Sequence, residues 1–188
     1  MRFRWRMALH TFWQSRRMAR DRRGVSAIEF AMIAPILILF YVGIVEVGNL
    51  LTVHRRTASV ASTAADLTAQ VKSVTTADLE DIVKASGALL TPYPTTPLKV
   101  VLSSVIADNN NIGKVSWSYA SKDGARANNS TYPLPAGLTQ AESSVIVAEV
   151  THNYTPTLGL NKVFSPGAFE MKRTFYARPR KSLAVKKD

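Results

Sequence analysis

Hydrophobic and polar positions change period twice along this chain. From Phe30 to Val45 sixteen residues carry no charge. As a helix they span roughly 24 Å, a little under a hydrocarbon core of ~30 Å. Adding Val25–Glu29 and Glu46–Val53 brings this to roughly 43 Å and sets one acid near each membrane face. A single transmembrane helix is expected, with Pro35 inside it. The proline ring cannot donate to the carbonyl of Ala31, so a kink or a loosened turn is expected there. Past the span the period becomes seven. Val53, Val60, Leu67 and Val74 recur with Ala64 and Val71 between them, and Ser, Thr, Gln and Lys stand opposite. This stripe predicts one long helix, about Val25 to Val74, lipid-facing in its first half and amphipathic in its second. The stripe has two uses open to it: covering the sheet of its own domain, or packing on neighbouring subunits.

"TTADLEDIVKASG" predicts a second, short helix, with Thr76 as N-cap, acids in the first turn and Gly87 as the stop. A proline-rich connector, "LLTPYPTTP", follows. The period then falls to two, and four strands are expected: Leu98–Ile106, Lys114–Ala120, Ser144–Asn153 and Phe169–Arg178. Polar, turn-rich loops at Ala107–Gly113 and Lys122–Gly137 separate the first three. "SVIVAEVTHNY" is apolar on both faces in its first half, which places it inside the sheet. The fold class is therefore α+β, a long N-terminal helix packed on a small antiparallel sheet. The expected segments are a basic leader (1–24), the transmembrane helix (25–53), an amphipathic helical region (54–91) and a β-rich domain (92–188).

Charge sets the direction of insertion. The net charge is +11, yet residues 1–23 hold eight arginines against Asp21 alone. That segment carries +7, leaving +4 for the rest. The excess of arginine before the span predicts a cytoplasmic N-terminus and a domain on the other side, periplasmic in a bacterial cell. Arg16, Arg17, Arg20, Arg22 and Arg23 are expected to hold the anionic headgroups of the cytoplasmic leaflet, with Trp5, Trp13, Phe3 and Phe12 interleaved. Nucleic-acid binding is the less economical account of the same residues. There is no cysteine, which removes disulfides, thiolate metal sites and Cys nucleophiles.

Glu29 stands five residues after Gly24, just inside the span. Cleavage after Gly24 would make Val25 a free amino terminus and Glu29 the fifth residue. An ammonium and a carboxylate are each costly in lipid. Paired between adjacent subunits, they partly neutralise each other and fix the stagger of one helix against the next. The alternative is an acid that snorkels to the interface at a helix N-terminus.

A basic leader, Gly24, then Glu29-Phe30 resembles the processing site of type IV prepilins, which a membrane aspartic peptidase cuts. The fuller string "RRGVSAIEFAMIAPILILFYVGIVEVG" resembles the TadE-like pseudopilins of the tight-adherence pilus system, at Gly24, Glu29, Phe30, Pro35, Gly43, Glu46 and Gly48. "SSVIVAEVTHNYTP" and "FYARPRKS" are similar to the C-terminal pattern of that family. Its frequent acid-Gly-Ala-Arg string is replaced here by "STAADLTAQV". The resemblance implies a minor pilin-like subunit of pilus assembly or secretion, anchored in the bacterial inner membrane. Gly24 and Val25 would flank the processed bond, and Glu29 with Phe30 would dock on neighbouring subunits. Its partners would be the membrane, a prepilin peptidase, other pilin-like subunits and the assembly platform.

No enzyme constellation is found. His10, His54 and His152 have no partner at metal-ligand spacing, and no phosphate-binding glycine loop or nucleophile elbow occurs. Neither a cofactor, nor nucleic acid, nor a small-molecule substrate is expected. The basic tail (Arg178, Arg180, Lys181, Lys186, Lys187) is expected to be a solvated end. Two further readings stay open. One is a membrane-anchored module binding a ligand or surface polymer. The other is a secreted domain released by a conventional signal peptidase near residues 58–66.

Overall fold

The computed structural model describes residues 23–108, 112–135, 137–138, 143–156 and 167–188. The chain falls into two compact units, Met1–Val45 and Glu46–Asp188. One helix, α1 (Arg23–Ala69), supplies the apolar segment of the first and enters the second, its helical assignment unbroken through Pro35.

The second unit is a helix-on-sheet layer. After α1 come β1 (Ser73–Val74), α2 (Thr76–Gly87), a short 3-10 turn (Ala88–Leu90), β2 (Leu98–Ala107), β3 (Gly113–Ala120), β4 (Thr131–Tyr132), β5 (Ser144–Tyr154), β6 (Phe169–Ala177) and β7 (Lys186–Lys187). Five strands form one antiparallel sheet in the order β4-β3-β2-β5-β6. The α+β class expected from the sequence is what the chain adopts. β5 has a strand on each side, and residues Ser144–Ala148 are buried, as a two-sided apolar strand requires.

Alternation sorts the sheet residues into two cores. Val100, Leu102, Trp117, Ile146, Ala148, Val150 and Met171 join Val53, Val60, Ala61, Ala64 and Ala65 of α1 in the larger core. The heptad stripe therefore covers its own sheet. Small residues along it let α1 lie close to the strands, and its two buried threonines are satisfied inside the helix: Thr57 Oγ1 donates to the carbonyl of Val53 at 2.9 Å and Thr68 Oγ1 to that of Ala64 at 2.8 Å. On the other face Val105, Val115, Val145 and Val147 pack with Tyr132, Leu134 and Leu138. Here the loop after β3 is pinned by Arg126, whose guanidinium makes two 2.8 Å bonds to the carboxylate of Glu149. Those bonds hold the arginine's proton more tightly than usual, and burial pushes the Tyr132 phenol beneath it upward. β4 can approach β3 because Gly113 has no side chain: a Cβ there would stand 2.7 Å from the carbonyl oxygen of Tyr132.

Three expectations need correction. The long helix stops at Ala69, not Val74; Val74 is buried in β1. The N-cap of α2 is Thr75, not Thr76: its hydroxyl accepts from the Asp78 amide at 3.2 Å, while its own amide donates to the Asp78 carboxylate at 2.8 Å. That reciprocal pair holds the Asp78 carboxyl below its ordinary value, chiefly through the Thr75 amide. α2 does end at Gly87, as expected, and a 3-10 turn follows it. The basic tail, finally, is no solvated end. β7 pairs in parallel with β1, Val185 is buried, and Trp117 Nε1 donates to the Val185 carbonyl at 2.7 Å. The partners lie 68 residues apart in sequence, and no local period encodes such a contact.

Candidate anchor and docking site

The first unit carries the residues that the sequence singles out. The helix Gly24–Ala69 is long and apolar enough to cross a membrane, and the large side chains of its first half point outward: Val25, Ile28, Phe30, Met32, Ile36, Phe40 and Ile44 are all exposed. Such a helix is insoluble in water on its own and fits a lipid environment. Arg16, Arg17, Arg20 and Arg22 lie outside the described residues, as does His10; Arg23 is the first residue of α1.

Gly24 sits in the first turn of α1. A Cβ built there would meet nothing within 4 Å, and its φ is not in the left-handed region. Glycine in a helix costs about 1 kcal/mol relative to alanine. The fold gives no return for it. Glu29 is exposed on the same helix, and among the described residues no hydrogen bond or ion pair reaches it. Pro35 is exposed as well.

Sequence reasoning missed the state of the second acid. Glu46 was expected at a membrane face; it is 7 % exposed, and neither carboxylate oxygen has a hydrogen-bond partner among the described residues. The signal was present. Glu46 precedes Val53 and Val60 by seven and fourteen residues, so it shares their sheet-facing stripe. Glu29 and Glu46 thus differ: Glu29 is exposed, and Glu46 is enclosed at the start of the domain.

Two of the histidines, His54 and His152, are used structurally. His54 accepts from the Arg173 guanidinium of β6, and His152 meets the Pro94 carbonyl through Nε2 at 3.1 Å. Among the described residues no group of His, Cys, Asp or Glu could hold a metal ion.

The described chain thus has one helix long and apolar enough to cross a membrane, followed by an α+β unit. Residues 24–66 match the family model described as TadE-like protein, so this segment is similar to that family. The match covers the span and most of the sheet-facing half of α1, and leaves the strands outside it. No curated protein matches the chain, and no solved structure does.

Proposed function

We propose that the protein is a minor pilin-like subunit of the tight-adherence pilus machinery, acting in pilus assembly or secretion rather than in catalysis. The observation that carries this reading is the match at residues 24–66, which begins at the one glycine of the span's first turn. Gly24 has no packing or conformational reason to be glycine, which fits a residue read by a peptidase. Val25 would be the new terminus. Its ammonium would pair with Glu29 of an adjacent subunit, and Phe30 would pack beside it in the membrane. The leader arginines would hold the cytoplasmic leaflet until cleavage, leaving the domain in the periplasm and the span in the inner membrane. The prepilin peptidase, other pilin-like subunits and the assembly platform are the partners this implies.

The packing of α1 argues against release by a conventional signal peptidase near residues 58–66. Val60, Ala61, Ala64 and Ala65 are buried in the domain's main core, so a cut there would remove the helix that covers the sheet.

Exchange of Glu29 tests the proposal. Glu29→Ala should insert in the membrane and fold normally but fail to co-purify with its partner pilins. Normal co-purification of that variant would defeat the docking role.

A further inference from the structure

We propose that the end of the second unit where α1 stops is a docking surface for another protein, one that offers an apolar pocket rimmed with acids. Leu183 fills that pocket, and the lysines around it meet the rim. This goes beyond the pilus reading and does not depend on it.

Contacts inside the second unit define this end. The Tyr93 hydroxyl, shortly before β2, donates to Asn49 Oδ1 of α1 at 3.4 Å. The Arg180 amide, past β6, donates to the Ala69 carbonyl at 2.9 Å. Asn49 and Ala69 are roughly 30 Å apart along the helix. The sheet has the same two ends. β2 begins beside His152, which meets Pro94, and reaches Ile106 between Ser144 and Lys114. The Ser144 amide donates to the Leu183 carbonyl at 2.9 Å. Leu183, Lys114 and the last turn of α1 therefore share one end of the unit. The tail is fixed on both sides of Leu183. Before it stands the bond to Ala69. After it Val185 is buried, its carbonyl held by Trp117 Nε1 at 2.7 Å, and the Lys186 amide donates to the Lys72 carbonyl at 3.1 Å. Yet Leu183 is 77 % exposed, more than any large apolar side chain of the span.

A lone exposed leucine is ordinary on a protein surface. This one has company. Val71 lies between the two residues whose carbonyls receive the tail, and Ile112 lies two residues before Lys114; both are exposed. A pinned backbone displays these side chains with little left to order on binding. Around them Lys72, Lys114, Lys181, Lys186 and Lys187 are exposed, and none is in an ion pair among the described residues. The acids nearest them are largely engaged. Asp66 pairs with Arg180, Asp78 caps its own helix, and Asp108 accepts from the Ile112 amide at 2.9 Å. Charge selects the occupant. A second copy of the chain would set lysine against lysine. A polyanion without apolar groups would leave Leu183 in water. A lipid surface that took in Ile112 would have to take the carboxylate bonded to its amide, at a cost. A protein with acids around an apolar pocket answers the leucine and the lysines together.

The probe is a fluorescent helical peptide with leucines on one face and glutamates flanking them. It is titrated against the full-length protein in phosphatidylcholine nanodiscs, with empty nanodiscs as the blank, and binding is read by anisotropy. Leu183→Ser should weaken binding about tenfold, as the loss of one buried leucine implies, with the denaturation midpoint unchanged. K181Q and K187Q should each weaken it about twofold at low salt and less at high salt. K172Q, which lies at the other end of the sheet beside Thr151, should change nothing. No binding up to about 1 mM peptide would overturn the proposal. So would binding indifferent to Leu183→Ser, or equal binding of a polyglutamate of the same charge. Tighter, Leu183-dependent association with phosphatidylglycerol vesicles would overturn it as well and assign this end to lipid.

Discussion

The two halves of α1 obey different rules. From Val25 to Val45 nearly every large side chain is exposed, and from Glu46 to Ala69 one stripe is buried and the opposite face is polar. The backbone is the same, yet the first half is apolar all round and the second only on the side that meets the sheet. What each half tolerates should differ accordingly. On the proposed function the span constrains its residues through lipid and through neighbouring subunits, whereas the domain half constrains them through packing. The acids make the contrast sharpest. Among the described residues neither has a hydrogen-bond partner, yet Glu29 is open and Glu46 is closed in.

The largest effect expected is all-or-none. Gly24→Val should leave the domain's unfolding unchanged, because the added side chain meets nothing, while the leader stays attached in cells with active peptidase; immunoblotting of the membrane fraction separates the two forms. In the domain, Ile146→Ala should lower stability by about 2–5 kcal/mol through lost transfer energy and a cavity. Leu39→Ala in the span should leave the domain's denaturation midpoint where it is. A large loss from the span exchange would erase the contrast.

Glu46→Leu sharpens it in the opposite direction. Removing a buried carboxylate without partners should raise stability by about 1–3 kcal/mol, read by chemical denaturation in detergent. A loss there would mean that an unseen cation holds the carboxylate. The smallest effects belong to single hydrogen bonds. Trp117→Phe removes the bond to Val185 and should cost about 1 kcal/mol. Thr75→Ala removes the hydroxyl half of the capping box and should cost about the same. The second exchange carries a pH signature. The Asp78 carboxyl is lowered in the folded protein, so its contribution is present above the unfolded carboxylate range and fades as pH falls through the folded value. Thr75→Ala keeps the amide that is the chief cause, so it should soften the acid slope only slightly through the lost hydroxyl contact, whereas Asp78→Asn should remove this part of the slope.

Periodicity made most of this molecule legible. The sixteen uncharged residues of the span, the seven-residue stripe and the four alternating strands each bury or expose a face in a way that spacing alone encodes. Strand limits fell within a residue of those expected at Leu98–Ala107, Gly113–Ala120, Ser144–Tyr154 and Phe169–Ala177. What was not legible depends on partners far apart in sequence. The tail reads as a solvated basic end until Trp117 and β1 are brought to it. The helix end at Ala69 is hidden because Val74 keeps the stripe's spacing while belonging to a strand. Glu46 was readable in principle from its seven-residue distance to Val53, but an acid beside a span suggests an interface before it suggests a core. Gly24 stands apart: a role for it is suggested by the sequence alone, and the fold supplies no packing reason for a glycine there.

The most direct test of the whole account is the mass of the mature protein extracted from the membranes of its native host. Removal of the leader predicts a chain that begins at Val25. A chain that still begins at Met1, in cells whose prepilin peptidase is active, would contradict it and leave Glu29 without its cationic partner.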